Sequence, residues 1–246
     1  MKKELRRQIK QDELVTGAES AWAWLVAHRE AVRVTAIAIV VAGALAGGIA
    51  YLQGRKAQES QQALAEALHI YHAPVEADLR PGAPRPAGHV EPTPKDKFLK
   101  AAAAFDGVER GFGSQPVALT AAYYAALCRI EIGENAEAEK ALSTLASRRD
   151  EGRLEPGLAR LALADLYRRT GQTDKAVDAY RQAAEDASLP IPRDHALMSL
   201  ASLLEEAGRL GDARAAYERI ATEFPSSVYA ADARSRGQYL GTAPQG

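Results

Sequence analysis

The chain changes its hydrophobic rhythm once. From Val34 to Leu52, VTAIAIVVAGALAGGIAYL, 19 mostly apolar positions pass without a charge. As a helix rising 1.5 Å per residue this run spans about 28 Å, close to the roughly 30 Å of a bilayer's hydrocarbon core. Beyond it, apolar residues recur at intervals of three and four between charged ones, the mark of helices that bury one stripe and solvate the other. Residues 56–73 place Ala63, Leu64, Ala67, Leu68 and Tyr71 on such a stripe, residues 96–109 place Phe98, Ala102, Phe105 and Val108, and the periodicity then persists to Leu240. Between these two stretches, residues 74–94 hold six of the chain's twelve prolines. Prolines remove backbone donors and turn the preceding residues away from helix, so a loop or linker is expected there.

Three segments of the periodic region superimpose, 119–152, 157–190 and 194–227, each 34 residues long. In each, a glycine (Gly133, Gly171, Gly208) is placed to end a first helix at positive φ, where a side chain would cost energy. Five residues on, Ala138, Ala176 and Ala213 are small enough for a second helix to close on the first. Four further, Leu142, Tyr180 and Tyr217 are large enough to fill the space between hairpins, and Pro190 and Pro225 punctuate the ends. The pattern resembles the tetratricopeptide repeat, matched best at Ala164, Tyr167, Gly171, Ala176, Tyr180 and Ala183. The third segment matches at Ala201, Gly208, Ala213, Tyr217 and Pro225 but has Leu204 and Ile220 where tyrosine and alanine are usual. The first has Arg129 and Leu142 at two aromatic positions, and no segment has the tryptophan expected near its start.

A single hairpin cannot bury its own apolar face, so such repeats stack and need caps. The expected fold class is all-α: an N-terminal single transmembrane helix followed by a short tetratricopeptide-like helical-hairpin solenoid. Composition agrees, because 51 alanines against 6% aromatics favour close-packed helices over sheets. The expected organisation is a tail with an amphipathic helix at 1–33, a signal anchor at 34–52, a helix continuing from the membrane at 53–73 and the Pro-rich loop at 74–94. The repeat domain follows at 95–240 with its cap at 228–240, and a disordered tail at 241–246. Residues 56–112 read as an interrupted front hairpin.

Charge orients the anchor. The first 33 residues carry seven Lys/Arg, against two in the 20 residues after Leu52, and the positive-inside bias places the short tail in the cytoplasm. Trp22, Trp24 and Tyr51 stand near the two interfaces, where amphipathic rings prefer to sit. In the tail, Ala21, Trp22, Leu25, Val26 and Val32 form a helical stripe suited to the inner membrane surface. Within the anchor, Ala42, Gly43, Ala46 and Gly47 bring small residues to one side, a pattern that admits a second helix and that an alanine-rich chain also produces by chance. Ala44-Leu45-Ala46 and Gly48-Ile49-Ala50 resemble cleavage sites, which keeps a cleaved signal peptide as the rival of a retained anchor.

The order of parts, a charged tail with a hydrophobic-aromatic patch, one signal anchor leading into a helix, and a small repeat array, is similar to that of YfgM-type ancillary subunits of the bacterial Sec translocon. The resemblance implies a bacterial inner-membrane protein, single-pass, with its N-terminus cytoplasmic and its repeats periplasmic. It implies polypeptide partners, the SecYEG translocon and periplasmic chaperones among them, and leaves homo-oligomerisation open. The alternative is a cell-envelope assembly or division factor released by cleavage near Ala46 or Ala50. Carried over from tetratricopeptide repeats, the partner-binding concave face is Tyr123, Leu127, Leu161, Asp165, Arg168, Arg169, Met198, Ser202, Glu205 and Glu206. On this reading Arg168 and Arg169 both face Glu205 and Glu206 one repeat along.

Catalytic chemistry is not expected. GxSxG, HExxH, Walker and GxGxxG patterns are all missing from the sequence, so the protein is read as a non-enzyme with no cofactor and no metal. His69 and His72, near Asp78 and His89, are read as solvent-facing residues rather than ligands. Cys128, the one cysteine, falls among alanines in a first helix and reads as a small packed hydrophobe. With 31 basic against 32 acidic side chains, net charge gives no reason to expect a nucleic-acid partner.

Overall fold

The computed structural model describes residues 22, 24–79, 90–148, 152–188 and 190–242. The greater part of the expected tail, with Ala21, and the stretch 80–89 with His89, lie outside the described residues, as do 243–246. The chain divides into two compact units, Met1–Gln58 and Glu59–Gly246.

In the first unit the described chain is chiefly the first part of helix α1 (Arg29–Tyr71). Alanine, leucine and isoleucine without an interrupting proline sustain it. From Val34 to Leu52 it is exposed on every side, and it is long and apolar enough to cross a membrane. Ala42, Gly43, Ala46 and Gly47 lie on that surface, and a Cβ added at either glycine would meet nothing within 4 Å. Before the apolar run, His28 stacks on Trp24 at 4.8 Å and Arg33 pairs with Glu30 at 3.0 Å.

The second unit holds the end of α1, a 3-10 turn at Glu76–Asp78, and helices α2 (Pro94–Phe112), α3 (Val117–Ile132), α4 (Asn135–Ala146), α5 (Glu155–Arg169), α6 (Thr173–Glu185), α7 (Arg193–Glu206), α8 (Leu210–Glu223) and α9 (Ala230–Thr242). From α2 onward each helix packs on the next along the chain, and α3 also packs on α5. Three hairpins result, α3–α4, α5–α6 and α7–α8. They begin at Val117, Glu155 and Arg193, one or two residues ahead of the repeat bounds expected from the sequence.

The hairpins close in the same way. Gly133, Gly171 and Gly208 have φ of +86°, +73° and +72°. After each, the next amide donates to a carbonyl five residues back: Glu134 to Arg129, Gln172 to Tyr167 and Arg209 to Leu204, all at 2.8 Å. This is the left-handed helix end that glycine permits without a Cβ clash. Ala138, Ala176 and Ala213 are then fully buried, and Leu142, Tyr180 and Tyr217 fill the core.

The Pro-rich segment is more than a connector. Val75 and Glu91 form a parallel bridge, with the Glu76 amide donating to the Glu91 carbonyl at 2.9 Å and the Glu91 amide to the Pro74 carbonyl at 3.0 Å. The Glu91 side chain is buried and meets Lys100 Nζ at 2.6 Å. Both ends of the segment are therefore clasped before α2 starts at its Thr93 cap, whose hydroxyl accepts from the Asp96 amide. At the far end, α9 buries Ala230, Ala233, Gly237 and Leu240 and exposes its other side, as a terminal cap does.

Candidate functional site

The second unit has an inner groove of about 490 Å³. Its floor comes from α3 and α5, the first helices of two successive hairpins, through Tyr123, Leu127, Ile130, Leu158, Leu161 and Leu166. Tyr71 from the end of α1 and Phe98 from α2 close one end, and Pro192 and His195 before and in α7 close the other. Residues three and four apart share one helix face, which brings Tyr123, Leu127 and Ile130 to the same side of α3.

Aromatic packing holds the closed end. Tyr71 stands edge-on to Phe98 at 5.8 Å, to Phe105 at 6.2 Å and to Tyr124 at 5.2 Å, while Tyr124 stacks on Phe105 at 5.3 Å and meets Tyr123 at 5.6 Å. Phe105 is fully buried, so this cluster is rooted in the core. Burial, reinforced by neighbouring Tyr124, pushes the Tyr123 phenol up to about 12, and burial raises Tyr71 as well. Both hydroxyls are therefore protonated donors at neutral pH.

The groove's lining carries two carboxylates, Glu131 and Asp165, against one guanidinium, Arg169. Arg169 reaches back from α5 to Glu131 of α3 at 3.0 Å, and Asp165 accepts from the Tyr180 hydroxyl of α6. Of the sequence-derived face, Tyr123, Leu127, Leu161, Asp165 and Arg169 border the groove, whereas Arg168, Met198, Ser202, Glu205 and Glu206 do not. Met198 packs against the core shared by the last two hairpins, and Ser202 is half-buried in α7. Glu205 accepts from Tyr217 at 2.9 Å and pairs with Arg236 of α9 at 3.1 Å. Arg168 pairs with Glu206 at 3.7 Å. The expectation that both arginines face α7 is thus corrected for Arg169. Successive helical residues are about 100° apart, so one arginine turns forward and the other back. Tyr71 and Phe98 read in the sequence as core stripe. Their only signal was position, Tyr71 at the last turn of α1 and Phe98 near the start of α2.

On the other side of the array a larger cavity of about 600 Å³ lies among α4, α5 and α6. Its guanidinium is committed, with Arg160 Nη1 on Asp186 at 2.9 Å and Nε on the Ala146 carbonyl at 3.3 Å. Cys128 is fully buried beside the aromatic cluster, and burial pushes its thiol up to about 12, far from a nucleophile's range. His69 and His72 are exposed, and among the described residues no three His, Cys, Asp or Glu gather as a metal cluster.

Residues 161–228 match the tetratricopeptide repeat family model. Over this stretch the chain is similar to the tetratricopeptide repeat. It runs from within α5 to just beyond α8, the two hairpins in which the repeat pattern is most complete. A comparison with curated proteins found no match. Among solved structures, the chain is similar to the nearly identical TPR-like repeats assigned to a putative kinesin light chain of Podosopora anserina. That similarity has a TM-score of 0.45 at 16% identity, over 59% of this chain and 78% of that one. A point variant of the same protein gives a TM-score of 0.45 at 15% identity, over 59% and 77%. Tetratricopeptide repeats make protein–protein interaction scaffolds, and a polypeptide is the partner class the repeat stretch implies.

Proposed function

We propose that this protein is a membrane-anchored scaffold that holds a polypeptide in its inner groove, as an ancillary component of Sec-dependent export working with periplasmic chaperones. The observation that carries the scaffold reading is the apolar groove built on the first helices of stacked repeats. Anchoring is supported by the exposed, uncharged run Val34–Leu52, and a periplasmic array by the excess of Lys/Arg before that run. The link to the translocon rests on the order of tail, anchor and repeats. In this reading Leu127 and Leu161 supply the floor, Asp165 and Arg169 the rim, and the Arg168–Glu206 and Glu205–Arg236 pairs hold the neighbouring helices in register.

The test is a photo-crosslinking residue at position 127 in the full chain, in cells, followed by extraction in mild detergent. Adducts with translocon subunits or a periplasmic chaperone are expected, and they should be lost when Tyr123→Glu charges the floor. Recovery of neither partner would overturn the export reading. An intact mass that lacks Trp22 and Trp24 would instead favour the cleaved, envelope-factor alternative.

A further inference from the structure

On the reading that the groove holds a polypeptide, its charges narrow what that polypeptide carries. Of the two lining carboxylates, Glu131 has Arg169 at 3.0 Å. Arg168, the other cation close by on α5, pairs outside the groove with Glu206. Asp165 has no cationic partner among the described residues. Its Oδ1 accepts from the Tyr180 hydroxyl, a neutral donor that leaves the charge in place. Counted with these neighbours, three carboxylates (Glu131, Asp165, Glu206) stand against two guanidiniums (Arg168, Arg169), so one negative charge is in excess and it belongs to Asp165.

That charge stands by the aromatic end. Burial does most to raise the Tyr123 and Tyr71 phenols, and behind it Asp165 adds to the first and Glu131 to the second, so each carboxylate is near a ring. Tyr71, Phe98 and Tyr123 line the groove, and aromatic rings draw cations to their faces. His195 closes the opposite end, and the floor between is Leu127, Ile130, Leu158 and Leu161. An acidic segment would add like charge beside half-buried Asp165. A wholly apolar one would strip water from that carboxylate and return no partner, which is costly for a charged group. Several basic residues would exceed the one surplus charge and lay the rest on leucine. One lysine or arginine among apolar residues suits both parts, because its hydrocarbon stem can follow the floor while the charged head reaches the rim.

We propose that the inner groove binds an apolar segment of a partner polypeptide that carries one lysine or arginine. The cation lies on Asp165 beside the Tyr71 and Tyr123 rings, and the apolar residues flanking it cover the leucine floor.

The test uses the full chain in micelles of a nonionic detergent and calorimetric titration, with heats for protein-free micelles subtracted. The probes are three end-capped peptides, Ser-Leu-Ala-Leu-Xaa-Leu-Ala-Leu-Ser, in which Xaa is lysine, glutamine or glutamate. The lysine peptide is expected to bind at least about tenfold tighter than the glutamine peptide, the size of one charge-assisted hydrogen bond, and the glutamate peptide weakest. Asp165→Asn keeps an acceptor for Tyr180 and removes the charge. It should bring the lysine peptide to within about twofold of the glutamine peptide, whose own affinity should hold. Arg169→Gln releases Glu131 and should instead tighten the lysine peptide by about threefold or more, a gain that misfolded protein cannot imitate. Tyr123→Glu removes a ring and sets a carboxylate under the apolar residues, so it should weaken all three peptides. No binding by the lysine peptide, an equal or reversed order among the peptides, or a lysine preference that survives Asp165→Asn would each overturn the proposal. If Asp165→Asn does not fold, failure of Arg169→Gln to tighten the lysine peptide overturns it alone. Crosslinking at position 127 separates this from the broader reading. If it still captures export partners, only the cationic occupant is lost, and if it captures none, the scaffold reading falls too.

Discussion

At Gly157, the third residue of α5, helix propensity and packing point in opposite directions. An alanine there would gain up to about 1 kcal/mol of intrinsic helix preference. Its Cβ, however, would stand 2.4 Å from Cγ2 of Ile191, a branch fixed to Cβ rather than a flexible tip, in a residue that is itself buried. Overpacking a tight contact costs about 1–3 kcal/mol, so packing wins. Gly157→Ala should therefore destabilise the fold by about 1–2 kcal/mol, seen as a melting decrease of roughly 2–8 °C for a unit of this size. The same change made with Ile191→Leu, which removes the obstructing methyl, should be neutral or stabilising relative to Ile191→Leu alone. Denaturant titration of the four proteins in the cycle checks this, and an equal cost in both backgrounds would show that Ile191 is not the cause.

Between elements, the position that is tyrosine in the best-matching repeat does one job with different chemistry. Tyr167 of α5 donates to Glu139 of α4 at 2.9 Å, tying one hairpin to the one before it. At the same place in the preceding repeat stands Arg129, which reaches back to Asp106 of α2 with Nη2 at 2.8 and 2.7 Å from the two carboxylate oxygens. In the third repeat Leu204 is buried and makes the contact apolar. An ionised pair about three-quarters buried on each side is expected to contribute more than a phenol hydrogen bond. A double-mutant cycle of Arg129→Leu with Asp106→Asn should give a coupling of about 1.5–3 kcal/mol, and one of Tyr167→Phe with Glu139→Gln about 0.5–1.5 kcal/mol. Equal couplings would mean that solvent screens the arginine pair more than its burial suggests. Read as sequence, Arg129 was a departure from the repeat pattern. In the folded chain it keeps the connection that the tyrosine makes elsewhere.

For the whole molecule, what was legible in the sequence is what is decided locally. Apolar spacing marks the buried stripes, and Gly133, Gly171 and Gly208 announce left-handed helix ends because no other residue adopts them so cheaply. The groove was only half legible. Tyr123, Leu127 and Leu161 follow from the resemblance to tetratricopeptide repeats, whose concave face they would line, but Tyr71 and Phe98 join them through a front hairpin interrupted by the Pro-rich segment. The directions of Arg168 and Arg169 depend on which neighbours each helix face meets, which no local pattern records. The same nearest-neighbour logic predicts how the array fails. In a stacked solenoid each hairpin is stabilised mainly by those beside it, and α9 covers the last hairpin with Ala230, Ala233 and Leu240 while Arg236 holds Glu205. Ending the chain after Ser227 removes burial of one leucine and two alanines, roughly 2–3 kcal/mol. Amide exchange in α7 and α8 should then quicken by about 30- to 150-fold, as that energy implies, while α3 and α4, separated from α7 and α8 by a full hairpin, should exchange as before. Exchange measured helix by helix distinguishes this from a single cooperative fold, in which truncation would raise the rate in α3 and α7 alike.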